Sequence, residues 1–465
     1  MDNQSNLQGN NNVVIQGVTN SNLTVSINGD VSEIHKALSE LKELLISRNE
    51  SNFTYENKVY NIEHINEANF GVVTSKKVFN GVLTKELMLL LRDHEKPQQF
   101  LNNLPPEDKE NWESKRQSLK DAQGILEDSF VWVIGWELRR LFSIGNDRDK
   151  RMESKIDEYI NHCFSTYRIS LQLIIYLFIS KLWDEKTKHP DIDTDKKPIR
   201  DFFNANRVLK LAELRHLFQV LIEIFRNNEI DYPIEKEELG DINEFLQPNS
   251  LFNMACKELE KLETIDQGRE MYGLGHCHTA EISLSTVLAG FKFFTNYQLV
   301  TLKKIEYEEA RNSAARYIKD LNILDKKETK NLLRILKYDK TPALTYSVFF
   351  RNENKAINLF PFLLDYNALT NETDFQIFLY QCRESESGLQ YFSVKSENEE
   401  IINYLATETE TMEIKSEEQK NELQKCIRLD LVVKQFEESM NTILGTDFHF
   451  KPKGNYQKVK SLGNI

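Results

Sequence analysis

The chain has 465 residues, with 59 lysines and arginines against 72 aspartates and glutamates, a net charge of -13, and 40% apolar and 28% charged residues. This balance belongs to a globular chain with material for roughly two to four domains; it excludes a disordered chain and argues against a protein whose main work is coating a phosphate backbone. The five cysteines, Cys163, Cys256, Cys277, Cys382 and Cys426, show no Cys-x-x-Cys spacing. That is the usage of a reducing compartment, with thiols packed as small apolar groups.

The opening stretch from Gly9 to Asp30, GNNNVVIQGVTNSNLTVSINGD, is crowded with asparagine, and no lysine or arginine precedes Lys36. Val13 and Ile15, then Leu23, Val25 and Ile27, alternate with polar residues as a strand does. Gly17 to Asn22 reads as a turn or arch between them, with Gly and Asn supplying left-handed backbone positions. A two-stranded unit is marginal alone in water, so it must find a partner: the rest of the chain, another protein, or copies of itself.

Asp30, with Glu33 three residues later, caps an expected helix in which Ile34, Leu38, Leu41 and Leu45 form one narrow apolar stripe suited to pairing with another helix. Arg48 to Phe53 reads as a linker, and Val59 to Ile62 is strand-like. Thr84 to His94 is a short helix stopped before Pro97. From Asn111 to about Lys337 the patterning is helical. Ser118 to Ile144 carries a core-facing set, Met152 to Glu185 is one long helix broken near Phe164 to Tyr167, and Leu209 to Asn227 is strongly amphipathic. Ser250 to Leu262, Thr279 to Phe293, Tyr307 to Leu321 and Glu328 to Leu336 continue the series. The apolar run Leu173 to Ile179 is too short to span a bilayer and fits a buried helix.

At Tyr338 the texture turns β-rich. Leu344 to Phe350, Ile357 to Leu364, Phe375 to Tyr380 and Leu389 to Val394 are expected strands, the last two a hairpin, and Pro361 marks an edge or bulge. An acidic stretch follows, then a helix from Ser416 to Leu444 with apolar Leu423, Ile427, Leu431 and Phe436, and a basic tail. The expected fold is mainly α with a small antiparallel β-sheet: an N-terminal β-hairpin or arch at 1–30, a helix and linker at 31–52, a multi-helix body at 53–340, a sheet at 341–400, and a C-terminal acidic segment, helix and tail at 401–465.

The residues offer little readable chemistry. His276-Cys277-His278 is dense in metal-ligand types, but neighbours on a helix do not converge on one ion, and a packed helix start after Gly273 and Gly275 is the expectation. Asp191, Asp193 and Asp195 alternate as in a calcium loop, yet Lys196 and Phe202 stand where that loop has Gly and Glu. Arg139-Arg140 has no nearby His, and Gly273 and Gly275 interrupt the helix that Arg269 and His276 would share. Asp365 ends an apolar run where an α/β enzyme can place an acid, and a strand-ending turn is the plainer reading. No catalytic residue, metal or cofactor is assigned.

The segment from Gln8 through Val13-Val14-Ile15-Gln16-Gly17-Val18 to Leu23-Thr24-Val25-Ser26-Ile27-Asn28 resembles the short Asn/Gly-rich β motifs, effector-associated or amyloid-like, at the ends of bacterial conflict-system proteins. Fungal prion-forming signalling motifs are similar. The resemblance is confined to this stretch; the body, from the NIEHINEANF region to FPFLLDYNAL, looks like a recurring partner architecture of such loci. It implies homotypic recognition that links a sensor to an effector in antiviral defence. There is one copy, with no second pseudo-repeat nearby.

The expected function is therefore a non-enzymatic adaptor, regulatory or scaffold protein of a bacterial antiviral defence system. Its partner-binding residues are Val13, Ile15, Leu23, Val25, Ile27, Ile34, Leu38, Leu41 and Leu45. The alternatives are an enzyme with its site where the helical body meets the sheet, near Asp365 or His276, and a nucleic-acid-sensing helical scaffold. Protein partners encoded nearby, or further copies of the chain, are expected in the cytoplasm, and neither nucleic acid nor a membrane.

Overall fold

The computed structural model describes residues 13–19, 22–27, 52–55, 58–61, 79–106, 109, 111–146, 151–265, 272–308, 311, 316–324, 332–336, 347–353, 355–366, 369, 376–407 and 416–453. Its helices α1 (Gly81–Leu90), α2 (Glu95–Asn103), α3 (Arg116–Ser129), α4 (Trp132–Asn146), α5 (Met152–Lys188), α6 (Lys197–Asn204), α7 (Leu211–Asn227), α8 (Leu251–Ile265) and α9 (Leu274–Gly290) form a body completed by α10 (Glu417–Leu444). The fold is mainly α with small antiparallel sheets, as the patterning implies.

Helix α5 is the axis of the body, with α4, α7, α9 and α10 packed on it. Every residue from Ile169 to Ser180 is buried, the pattern of a helix that is apolar on all sides. By length and composition α5 could cross a membrane, but 89% of its most apolar window is buried inside the body. It does not break near Phe164 to Tyr167. Thr166 Oγ1 donates to the His162 carbonyl at 2.8 Å, and Ser170 Oγ to the Thr166 carbonyl at 2.7 Å, so these two hydroxyls bond within their own helix instead of ending it. Pro97 likewise does not stop a helix; it lies in the first turn of α2, where its missing N–H costs nothing.

In α7 the buried set Leu214, Leu217, Phe218, Leu221, Ile222 and Phe225 recurs at helical spacing, each side chain contributing ~1.5–3 kcal/mol on burial. Phe178 of α5 meets Phe225 with ring centroids 4.8 Å apart, and Phe218 continues to Phe245 and Phe291.

The helical series ends at Thr295, earlier than the patterning implies. The described strand residues of the segments expected as helices at Tyr307 to Leu321 and Glu328 to Leu336, namely 307–308, 316–321 and 332–336, belong to a sheet ordered β7-β6-β5-β8-β9. Its strands are β5 (Gln298–Glu308), β6 (Arg316–Ile323), β7 (Leu332–Leu336), β8 (Val348–Arg351) and β9 (Ala356–Asn358). Ile318, Leu321 and Leu324 are spaced as in a helix, but Tyr317, Leu321 and Ile323 also fit a two-residue period, and pairing with β5 (Leu302 opposite Leu321, Val300 opposite Ile323) selects the strand. A second sheet has the order β10-β11-β12-β13, with β10 (Leu363–Asp365), β11 (Ile377–Cys382), β12 (Gly388–Ser393) and β13 (Glu399–Asn403). The β11–β12 hairpin is as expected, and β13 lies in the stretch read only as acidic. Pro361 sits in the turn where the chain passes from β9 of one sheet to β10 of the other, not on an edge or bulge.

Among the described residues, one core running from Leu83 in α1 to Phe450 joins the helices, the four-stranded sheet and α10. Ser416 caps α10, and Asp430 receives the chain leaving β13 through the Leu405 and Thr407 amides, each at 2.6 Å. Of the stripe Leu423, Ile427, Leu431 and Phe436 only Phe436 is fully buried; Val432, Val433, Met440 and Ile443 supply the rest of the inner face. A separate cluster, Val300, Leu302, Leu321 and Phe349, with Ile305 and Ile323 beside it, lies on one face of the five-stranded sheet. At the N-terminus, β1 (Val13–Thr19) pairs with β2 (Asn22–Ile27), and β3 (Asn52–Tyr55) with β4 (Lys58–Asn61). Asn52 and Phe53 are thus in a strand and not a linker.

Candidate partner-binding interface

The N-terminal strands form an antiparallel hairpin that belongs to neither sheet of the body. The register sets Val13 opposite Ile27 and Ile15 opposite Val25, so these four positions share one face, with Val14, Gln16, Thr24 and Ser26 on the other. The turn is tighter than the expected arch: β1 continues through Gly17 and Val18 to Thr19, opposite Asn22. Gly17 falls inside the strand where the register shifts between Gln16 and Thr19, the place a glycine takes at a bulge. Leu23 shares the parity of Val25 and Ile27 and stands across from that shift. The stripe Ile34, Leu38, Leu41 and Leu45 lies outside the described residues. The second hairpin, β3–β4, sets Asn52 opposite Asn61 and Phe53 opposite Tyr60, and β3 lies near β2.

The other singled-out residues are structural. His276 stands in the first turn of α9, where its Nδ1 accepts from the Gly273 amide at 3.0 Å and closes the helix start. Cys277 is buried, and burial pushes its thiol up to about 12; burial lowers the pKa of His278. Among the described residues no three His, Cys, Asp or Glu side chains could hold a metal together. Asp193 pairs with Lys196 at 2.5 Å and Asp195 with Arg200, in an exposed loop that leads into α6. Asp365 is fully buried at the end of β10 and accepts from the Gln376 amide of the neighbouring chain segment at 3.4 Å. Arg269 lies outside the described residues.

Two polar constellations escaped sequence reasoning. Glu281 of α9 is buried beside the start of α1, where it accepts from the Asn80 amide at 2.9 Å and the Leu83 amide at 3.4 Å. Asn80, at φ 67°, also takes the Tyr159 hydroxyl at 2.8 Å and donates to the Leu141 carbonyl at 3.2 Å. Desolvation raises the Glu281 carboxyl to about 7 against the opposing pull of these donors. In α4, Arg140 joins the fully buried Glu137 at 3.4 Å to Glu397 at 2.5 Å and the Lys395 carbonyl at 2.7 Å, clasping the helical body to the β12–β13 turn. In both cases the available signal was the single carboxylate of its helix.

Where the body meets the five-stranded sheet there is a cleft of about 350 Å³, lined by Trp132, Trp136, Arg139, Tyr297 and Leu299 among others. Arg139 lies over the Trp136 ring at 5.4 Å and pairs with Glu127 at 3.7 Å. Neither Asp365 nor His276 lines it. Comparison with protein-family models, curated proteins and solved structures finds no match to this chain.

Proposed function

We propose that the chain is a non-enzymatic adaptor or scaffold that binds a protein partner through its N-terminal hairpin, acting in the cytoplasm in bacterial antiviral defence. The observation that carries this reading is the independence of β1–β2: an uncharged two-stranded sheet outside both sheets of the body. Such a unit buries too little to be stable alone and gains from an added strand or face. Asparagine-rich, uncharged, alternating segments are also the kind that stack edge to edge. The resemblance to effector-associated motifs supplies the defence setting.

The test is removal of residues 1–30 from the full chain. Partner co-purification is expected to be lost while the melting temperature of the body stays within about 1 °C of the parent, because β1 and β2 pair with each other and with no strand of the two body sheets. A fall of several degrees would make the hairpin part of the folded core, and retained partner binding would remove the hairpin from the interface.

A further inference from the structure

A cavity of about 530 Å³ forms a groove along the C-terminal half of α10, lined by Tyr404, Val433, Lys434, Glu438, Thr442 and Phe450 among others. Val433 and Phe450 are buried and Tyr404 is half-buried, so its inner surface is apolar. One wall is fixed to the helix: Glu437 accepts from the Phe450 amide at 2.6 Å and meets His449 Nδ1 at 3.0 Å, and His449 Nε2 meets Asp447 at 3.3 Å. Glu437 is thereby engaged through both oxygens. Two exposed charges at the mouth are not fully engaged. Lys434 lies over the Tyr404 ring at 5.9 Å with no ion pair among the described residues, and Glu438 accepts from Gln435 Nε2 at 2.7 Å through one oxygen only.

The chain itself leads to this groove. Lys453, the last described residue, donates its amide to the Tyr404 carbonyl at 2.9 Å, at the end where Lys434 lies. Beyond it the sequence reads Gly454-Asn455-Tyr456-Gln457-Lys458-Val459-Lys460. Gly and Asn are the residues a reversal toward α10 needs, and they carry no charge past Lys434. From Lys434 to Thr442 the helix rises about 12 Å at about 1.5 Å per residue. An extended chain from Gly454 to Lys458 covers about 16 Å at about 3.3 Å per residue, so the basic residue reaches the oxygen that Glu438 has left.

We propose that residues 454–460 occupy this groove in their own chain, with Tyr456 against Val433 and Phe450 and the Lys458 ammonium on Glu438. The chain's own segment is the occupant because it is tethered at the groove's edge, where its effective concentration is in the millimolar range. Modest contacts then hold it, whereas the same contacts leave a free basic peptide in solution. A basic extended segment of another protein enters only by displacing it.

The experiment uses the unmodified full chain at low concentration. A zero-length carbodiimide joins an amine to a carboxylate where the two touch, and peptide mass spectrometry is expected to find Lys458 joined to Glu438 within one chain. No join, or Lys458 joined only to carboxylates outside the groove, would overturn the proposal. A Lys458–Glu438 join confined to dimers would give the groove to a second copy and overturn it too. Charge reversal provides a second readout, with each rate taken relative to a free peptide of the same tail sequence. Glu438→Lys should speed initial tryptic cleavage after Lys460 about two- to fivefold, the range of an exposed ion pair, and adding Lys458→Glu should restore the parent rate. Equal rates in the parent and in Glu438→Lys would overturn the proposal. Removal of residues 1–30 should leave the Lys458–Glu438 join intact whether or not the hairpin binds a partner, so the two readings fail separately.

Discussion

Glu281 gives the sharpest test of how the body is held together. Its carboxyl meets the amides of Asn80 and Leu83 at the start of α1, and hydrogen bonding alone would lower its pKa. Burial is the larger effect and raises it from 4.5 to about 7. An acid whose folded pKa exceeds its unfolded one binds more protons when folded. Its contribution to stability is therefore fully present below 4.5 and is lost as the pH rises through 7. The shift amounts to about 3 kcal/mol in total, of which about 1 kcal/mol falls between pH 6 and pH 8. That window lies above the isoelectric point of about 5.4 and suits measurement. Glu281→Gln keeps an acceptor for the amides and removes the titration. Urea unfolding of both proteins should show the variant gaining on the parent by about 1 kcal/mol from pH 6 to pH 8. A difference that stays flat, or one that moves in the parent's favour, would mean that the helix-start donors outweigh desolvation and would refute the reasoning.

Arg140→Ala leaves the Glu137 carboxylate buried without its cation and should cost roughly 3–5 kcal/mol in urea unfolding; adding Glu137→Gln should recover part of the loss. Gly135→Ala would set a Cβ 2.3 Å from the Glu127 carbonyl oxygen, forcing α3 and α4 apart at a cost of about 1–3 kcal/mol or more, read as a fall in melting temperature. Cys163, Cys256, Cys277 and Cys382 are buried and Cys426 is half-buried, with every thiol raised by burial. A chromogenic disulfide at pH 8 should titrate Cys426 alone before urea is added and all the cysteines afterwards.

The sequence made the long amphipathic and buried helices legible, because α7 and α10 announce themselves by periodicity and by caps such as Ser416. It misled from Gln298 to Leu336, where the same apolar residues fit both periods and the decision rests on partners distant in sequence: Thr301 pairs with Val348 on one side and Asn322 on the other. The break expected in α5 failed for a local reason, since serine and threonine can bond their own helix instead of ending it. At the N-terminus, alternation identified both strands of the hairpin, whereas the Gly17 bulge depends on register, which composition does not carry.

Perturbed titration ordinarily points to an active site, and the location of the perturbed groups here bears on the choice between adaptor and enzyme. Burial raises the pKa of Tyr159, Cys163, Cys277 and Glu281. Yet all four are buried, and the carboxylate is engaged at the start of α1. The cleft beside Trp132 contains neither histidine nor cysteine, and its Arg139 is already stacked on Trp136 and paired with Glu127. Those four groups and the cleft beside Trp132 are therefore different places, whereas His449, its pKa raised by its hydrogen bond to Glu437, lines a separate cavity of about 530 Å³ with Tyr404. A catalytic role for those four groups needs an opening onto them; a structural role needs only that they hold α1 to the body. Glu281→Gln separates the two: it should shift stability with pH and leave partner binding unchanged, and loss of binding in a fully folded variant would turn the buried cluster from a structural feature into a functional one.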